Sequence, residues 1–274
     1  MESKNPVFAR STEWKSGGYA SFDAPSSSRA AAPPAGADAR TLEDWYSKPS
    51  ATPSQSRRMT LDDVVVRTGL LFAVLVVGAA AAWLGNAGLG IAIVSALVAM
   101  GLGLWAQMSK KVRVGVMFAY AVLEGVFVGA ISHWYTLAFG NSIVPTAVLG
   151  TLGAFGAMLL AYKTGVIRNS PKFTKVLVIA GMGYLVFGLV NLAVALVTGQ
   201  SVYSGGGLLA VAVSAFGVVL ASLFLVLDFD YIEQGIRNGL PEKESWRAGF
   251  GLLVTLVWLY LEILRLIAIL RGND

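Results

Sequence analysis

The sequence predicts an all-α membrane protein in which seven transmembrane helices form one bundle. The chain has 274 residues, of which 55% are hydrophobic and only 14% are charged, whereas a soluble domain is usually about a quarter charged. Apolar stretches of about 20 residues, the length that spans a bilayer, recur seven times after residue 58. Lys and Arg fall in alternate loops between these stretches. Together the three observations indicate a polytopic membrane protein.

The first 58 residues differ in composition from the rest of the chain. They are rich in Ser, Ala, Pro and Gly, and such a segment cannot bury enough apolar surface to offset the entropy of ordering it. They also lack the apolar core of a cleavable signal peptide. We therefore predict two parts, a disordered cytoplasmic tail over 1–58 and a seven-helix transmembrane domain over 59–274.

The predicted spans follow the apolar stretches in chain order. Thr60 is expected to cap the first helix, because Asp62 and Asp63 follow it in the first turn. Glycine-containing segments at 85–88 and 204–207 are typical of turns between spans. The seven spans are predicted over 64–84, 89–108, 114–138, 144–162, 175–198, 208–228 and 246–270.

The loop charges predict the orientation of the chain. The loops at 85–88, 139–143 and 199–207 contain no Lys or Arg, whereas the alternate loops contain several. Because cytoplasmic loops carry the excess of basic residues, we expect a cytoplasmic N-terminus and an external C-terminus. The same distribution accounts for the net charge of +5 without a nucleic-acid partner, so none is expected.

The composition also excludes several kinds of site. No cysteine is present, which excludes disulfides, thiolate metal sites and a cysteine nucleophile. The single histidine, His133, excludes a His-rich zinc cluster, and its aromatic neighbours are typical of a membrane-interface belt. No GxSxG or GxxxxGK[ST] motif occurs. We therefore predict that the protein is not an enzyme and needs no cofactor.

Ionisable residues within the spans are the candidate functional residues, because a charge at the centre of a membrane helix costs about 3 kcal/mol or more. They are Glu124, Asp228, Glu262 and Arg265. Glu124 lies roughly 16 Å along the helix from Arg113, beside Gly125 and Gly129, whose spacing allows a neighbouring helix to approach closely. It is either a protonatable or cation-binding carboxylate, or a neutral acid hydrogen-bonded to a neighbouring helix.

Asp228 ends the apolar run of the sixth span. Taken alone, this position predicts an interfacial aspartate at the cytoplasmic end of the helix. The helical pattern could instead continue to Arg237, before Gly-Leu-Pro at 239–241 stops it. Asp228 would then lie a few turns inside the membrane, with Asp230 and Glu233 in water.

Glu262 and Arg265 lie three residues apart in the seventh span and therefore share a helix face. They form either a functional acid with its counter-ion, or a buried pair that only fixes the rotation of the helix. Glu262 is 15 residues past Arg247, roughly 22 Å along a helix. It meets Asp228 only if the sixth helix continues well beyond Asp228 or the seventh begins above the membrane surface.

These motifs resemble those of the transmembrane Bax inhibitor motif family over about 59–270. The most specific part is Leu-Val-Leu-Asp-Phe-Asp-Tyr-Ile at 225–232, followed by Tyr-Leu-Glu at 260–262. The Glu-Gly pair at 124–125, with a glycine four residues further on, adds to the likeness. The long tail suggests an outlying bacterial branch, and hence the bacterial plasma membrane.

The resemblance implies six helices around a central seventh, and a Ca²⁺ leak that responds to pH. It also implies an acidic pair between helices six and seven that acts as a proton-sensitive latch. Motif by motif, the pair falls on Asp228 and on Glu262, where the family has Asp in place of Glu. A basic lock residue in the second-to-third loop falls on Lys110 or Lys111.

The resulting hypothesis is a passive leak gated by protons. At low pH, one proton shared by Asp228 and Glu262 would hold helices six and seven together. At higher pH both acids would ionise, repel and attract Ca²⁺ through their oxygens, with Glu124 and Arg265 supporting the path. Ca²⁺ is then a permeant ion and tentative ligand of the pair. The alternatives are a non-conducting modulator of a membrane protease or stress-response factor, and a proton-coupled transporter.

Overall fold

The computed structural model describes residues 57–109, 111–199, 201 and 207–272. The chain divides into two units, Met1–Thr52 and Pro53–Asp274, and the described residues belong to the second. The predicted tail lies outside them except for Arg57 and Arg58, and so does the turn at 204–207 except for Gly207. No strand longer than an isolated bridge occurs in the described part.

The described residues form seven α-helices, each long and apolar enough to cross a membrane. The predicted all-helical membrane fold is therefore confirmed. The helices are α1 Leu61–Leu84, α2 Leu89–Met108, α3 Val114–Phe139, α4 Ile143–Lys163, α5 Pro171–Thr198, α6 Gly207–Arg237 and α7 Glu244–Gly272.

Local sequence explains where two of these helices begin. The Thr60 hydroxyl accepts a hydrogen bond from the Asp63 backbone at 3.2 Å, and the Asp63 carboxylate accepts one from the Thr60 backbone at 3.1 Å. This is the capping box that the sequence predicts. Helix α5 begins at Pro171, four residues before its predicted start, because Ser170 caps it and proline suits a first helical turn.

Helix α6 is longer than predicted. It continues nine residues past Asp228 to Arg237, because Phe229, Ile232 and Gly235 keep a buried face on the same helix. It ends where Gly239 adopts a positive φ of 64°. Asp228 therefore lies about 13 Å inside the end of the helix, so the expectation that it ends the sixth helix is wrong and the continuation to Arg237 is confirmed.

Helix α7 lies at the centre of the bundle, as predicted. It packs against α1, α3, α4 and α6 and is the most buried of the seven. Helix α5 is the opposite case, since Leu177 is its one buried residue and it packs mainly against α6. An apolar groove of about 400 Å³ separates α5 from α6 and is lined in part by Ala180 and Phe216.

Helices α1 and α3 cross with their backbones in contact. A Cβ atom on Gly125 would lie 2.2 Å from the Leu75 carbonyl oxygen, and one on Gly129 would lie 2.2 Å from that of Ala79. The close approach predicted from the glycine spacing is present. No side chain fits at either position unless the two helices move apart.

We expect Gly129→Ala to destabilise the bundle by about 1–3 kcal/mol, the usual cost of overpacking. The added methyl group would collide with backbone atoms of α1, which cannot rotate away. The melting temperature in detergent measures the effect. Gly153→Ala is the matched control, because a Cβ atom there meets nothing within 4 Å. Equal melting temperatures for the two variants would contradict the prediction.

Candidate functional site

Asp228 lies in the seam between α6 and α7, near the end of the bundle where α1, α3, α5 and α7 begin, here called the basic end. A Cβ atom on Gly251 of α7 would lie 3.3 Å from its Oδ1, and the Thr255 hydroxyl hydrogen-bonds its carboxyl. Its Oδ2 is buried without a hydrogen-bond partner among the described residues. The seam therefore contains a carboxyl oxygen that is shielded from water and open to a proton or a cation.

Glu262 has a contrasting environment, because donors surround its carboxylate. It is 3% exposed. The Tyr184 hydroxyl of α5 donates to Oε2 at 2.8 Å, the Trp258 indole donates to Oε1 at 3.1 Å, and Arg265 forms an ion pair at 3.1 Å. The predicted neutralisation of Glu262 by Arg265 is thus present. Three donors from two helices therefore hold the Glu262 carboxyl in one position.

The structure does not bring Asp228 and Glu262 together. A Cβ atom on Gly217 would lie 2.6 Å from Glu262 Oε2, so Glu262 faces α6 at Gly217. Gly217 and Asp228 are eleven residues apart on the same helix, or roughly 16 Å. The shared-proton arrangement expected from the sequence is therefore absent from this conformation.

The turn between α6 and α7 explains the separation. Two antiparallel helices joined by a short turn bring together residues that are about equally far from it. Asp228 precedes Arg237, the end of α6, by nine residues, and Gly251 follows Glu244, the start of α7, by seven. Glu262 follows Glu244 by eighteen residues. It therefore lies opposite a part of α6 that precedes Asp228 in the chain.

Glu124 is half-buried on α3. No hydrogen bond reaches its carboxyl within the described part of the chain. Tyr120, one turn earlier, packs against Phe250 of α7 with ring centroids 4.9 Å apart. The hydrogen bond to a neighbouring helix, which the second sequence alternative requires, is therefore absent from the described residues.

The predicted lock role of Lys110 or Lys111 has no support among the described residues. Lys110 lies outside the described residues, and the Lys111 side chain is exposed. Arg247 of α7 instead joins the loop between α2 and α3 to α7, donating to the Ser109 carbonyl at 3.0 Å. It also pairs with Glu244 at 3.2 Å. The sequence predicts no such contact for Arg247, which serves there only as the reference point for the depth of Glu262.

Arg67 is a second residue whose role the sequence analysis missed. From α1 its guanidinium donates to the backbone carbonyl and the carboxylate of Glu242, and to the Ser245 hydroxyl. It also lies 5.3 Å from the centre of the Trp246 ring. Its position six residues inside an apolar helix was the available signal, because an arginine at such a place requires partners.

Two further polar residues lie within the spans, Tyr184 on α5 and His133 on α3. Tyr184 was missed because nothing in its spacing relates α5 to Glu262. His133 packs edge-on against Trp83, with ring centroids 5.2 Å apart, and lies far along α3 from the basic end. In the described ranges, no three His, Asp or Glu side chains form a cluster that could hold a metal ion.

A comparison with known protein families finds a match over nearly the whole chain. The family model described as Bax inhibitor 1 like matches residues 5–272, which is essentially the whole chain. No curated protein matches the chain. The family match agrees with the likeness seen in the motifs around Asp228 and Glu262.

Proposed function

We propose a function from the premise that the chain belongs to the Bax inhibitor 1 like family: it is a passive cation leak that responds to pH and admits Ca²⁺. The observation that carries this proposal is the Asp228 carboxyl, buried between α6 and α7 with Oδ2 unpartnered in the described part of the molecule. The role is non-enzymatic and needs no cofactor. The basic end would face the cytoplasm of a bacterium, as the loop charges predict.

Protonation of Asp228 changes the ability of its carboxyl to donate a hydrogen bond and to bind a cation. A neutral carboxyl has an O–H that can donate a hydrogen bond, whereas the ionised form only accepts. At low pH the neutral group would let α6 and α7 pack closely. At higher pH the ionised group would repel apolar packing and offer a hard oxygen ligand to a divalent cation, so flux is expected to rise with pH.

The proposal assigns the predicted latch residues unequal roles. Asp228 would carry the response to pH, since its carboxyl has an open position. Glu262, with Arg265, would instead fix α7 against α5 through Tyr184. Glu124 would be a second carboxylate on the cation path, and the role of Lys110 or Lys111 as a lock stays a prediction.

Flux measurements on the purified protein test this proposal. In liposomes containing a Ca²⁺ indicator, the wild-type protein should show flux that rises with external pH. Asp228→Asn should give low flux at every pH, because the amide cannot ionise. The matched control is Glu233→Gln, an exposed acid on the same helix, which should keep the wild-type profile.

Two results would contradict the proposal. An unchanged pH profile in Asp228→Asn would remove the assigned role of Asp228. No flux by the wild-type protein at any pH would remove the leak itself and favour the non-conducting modulator of a partner protein.

A further inference from the structure

Three residues before α1 pair with the turn between α6 and α7. Residues 57–59, here called the strap, run antiparallel to residues 240–242. The Met59 amide donates to the Leu240 carbonyl at 2.8 Å, and the Glu242 amide donates to the Arg57 carbonyl at 2.9 Å. The turn is therefore tied by its backbone to the segment that leads into the first membrane helix.

Arg58 and Pro241 lie directly opposite each other in this pairing. The two backbone hydrogen bonds flank the pair, which makes it the non-hydrogen-bonded kind of antiparallel pair. Proline has no amide hydrogen to donate, so it suits this position. The sequence of the turn is thus compatible with the strap at the one place where proline is allowed.

Side chains hold the strap in place. Met59 is only 2% exposed, and its sulfur would be 3.2 Å from a Cβ atom on Gly235 of α6. Arg58 covers Gly239, where a Cβ atom would be 3.2 Å from the arginine Cδ. Arg57 pairs with Asp63 at 3.5 Å. The strap is a packed part of the bundle at its basic end.

Arg67 on α1 forms a second attachment to the turn between α6 and α7. It binds Glu242 at the end of the turn and Ser245 in the first turn of α7. The strap and α1 therefore hold the turn from two sides. Asp228 lies in the seam about 13 Å along α6 from this turn, so both attachments act at the end of the seam that is nearest to Asp228.

We propose that the strap controls the separation of α6 and α7 at the basic end, and thereby access to Asp228. This regulation rests on the proposed leak for its effect on ion flux. Release of the strap opens the seam, and retention keeps it closed.

A reversible disulfide tests the proposal in the full chain. The protein has no native cysteine, so Arg58→Cys/Pro241→Cys introduces the only thiols. Residues in a non-hydrogen-bonded pair have Cα atoms about 4.5 Å apart, which lies within the range of about 4.4–6.8 Å that a disulfide accepts. Oxidation should lock the strap, and a reductant should release it.

Two measurements are made on the oxidised and reduced forms. Because the disulfide holds the strap on the turn, Ca²⁺ flux at high pH should be lost on oxidation and return on reduction. Hydrogen exchange in residues 225–245 should also become slower on oxidation. The single-cysteine variants Arg58→Cys and Pro241→Cys receive the same oxidant and should change in neither measurement.

The two measurements separate failure of the strap from failure of the leak. Flux that is present but equal in the oxidised and reduced forms overturns the strap as a regulator. If flux is absent in every form but exchange slows on oxidation, the leak fails and control of the seam stands. If flux is absent and exchange is unchanged, both are overturned.

Discussion

Replacing Arg265 by alanine is expected to lower the free energy of unfolding by about 3 kcal/mol, at the low end of the range for breaking a buried ion pair. The effect arises at Glu262, whose side chain is 4% exposed and would lose its counter-ion in an apolar seam. Arg265 itself is 30% exposed, so losing its own contacts costs less than leaving the buried Glu262 carboxyl without a counter-ion. Tyr184 and Trp258 still donate to Glu262, which limits the loss.

A second variant separates charge from packing. Adding Glu262→Gln to Arg265→Ala should recover part of the lost stability, because a neutral amide no longer needs a counter-ion. Unfolding in mixed detergent micelles, followed by tryptophan fluorescence, measures each difference. Arg237→Ala is the control, since its ion pair with Glu233 is exposed and such pairs contribute about 1 kcal/mol or less. A double variant less stable than Arg265→Ala alone would contradict the explanation.

Replacing Arg67 by alanine is expected to cost about 3–5 kcal/mol, the range for removing one member of a buried pair. Its side chain is 13% exposed and that of Glu242 is 17% exposed, so the remaining carboxylate would be poorly solvated. The turn between α6 and α7 would also lose its attachment to α1. Arg67→Lys should recover only part of this, because an ammonium group cannot reproduce the forked hydrogen bonds or the stacking on Trp246.

The same unfolding experiment measures the Arg67 variants. Arg113→Ala is a suitable control, because Arg113 also lies over a tryptophan ring, at 5.0 Å from Trp105, but is exposed. Such exposed contacts are worth about 0.5–1 kcal/mol. Wild-type stability in Arg67→Lys would show that charge alone, and not the geometry of the guanidinium, holds the turn.

Hydropathy predicted the helices well because crossing a bilayer requires long apolar runs whatever the tertiary contacts. Most predicted bounds agree with the structure to within a few residues. The end of α6 was the main error. The charges of Asp228 and Asp230 interrupt the apolar run, but Asp230 accepts hydrogen bonds at 2.6 Å from Asn169 and Gln234, so its charge does not stop the helix.

The candidate residues were predictable one by one, whereas their partners were not. An acid in a membrane helix stands out in any sequence, which is how Glu124, Asp228 and Glu262 were found. Which acid meets which residue depends on the relative register of α6 and α7, and that register follows from where α6 ends. The contact from Tyr184 to Glu262 depends on the placement of α5, for which the sequence contains no spacing signal.

The shallow packing of α5 has a consequence for the membrane around it. With Leu177 as its one buried residue, this helix would face acyl chains over most of its surface in a bilayer. The thickness and order of the lipid would then influence the position from which Tyr184 reaches Glu262. The central helix would depend less on lipid, because it is the most buried of the seven.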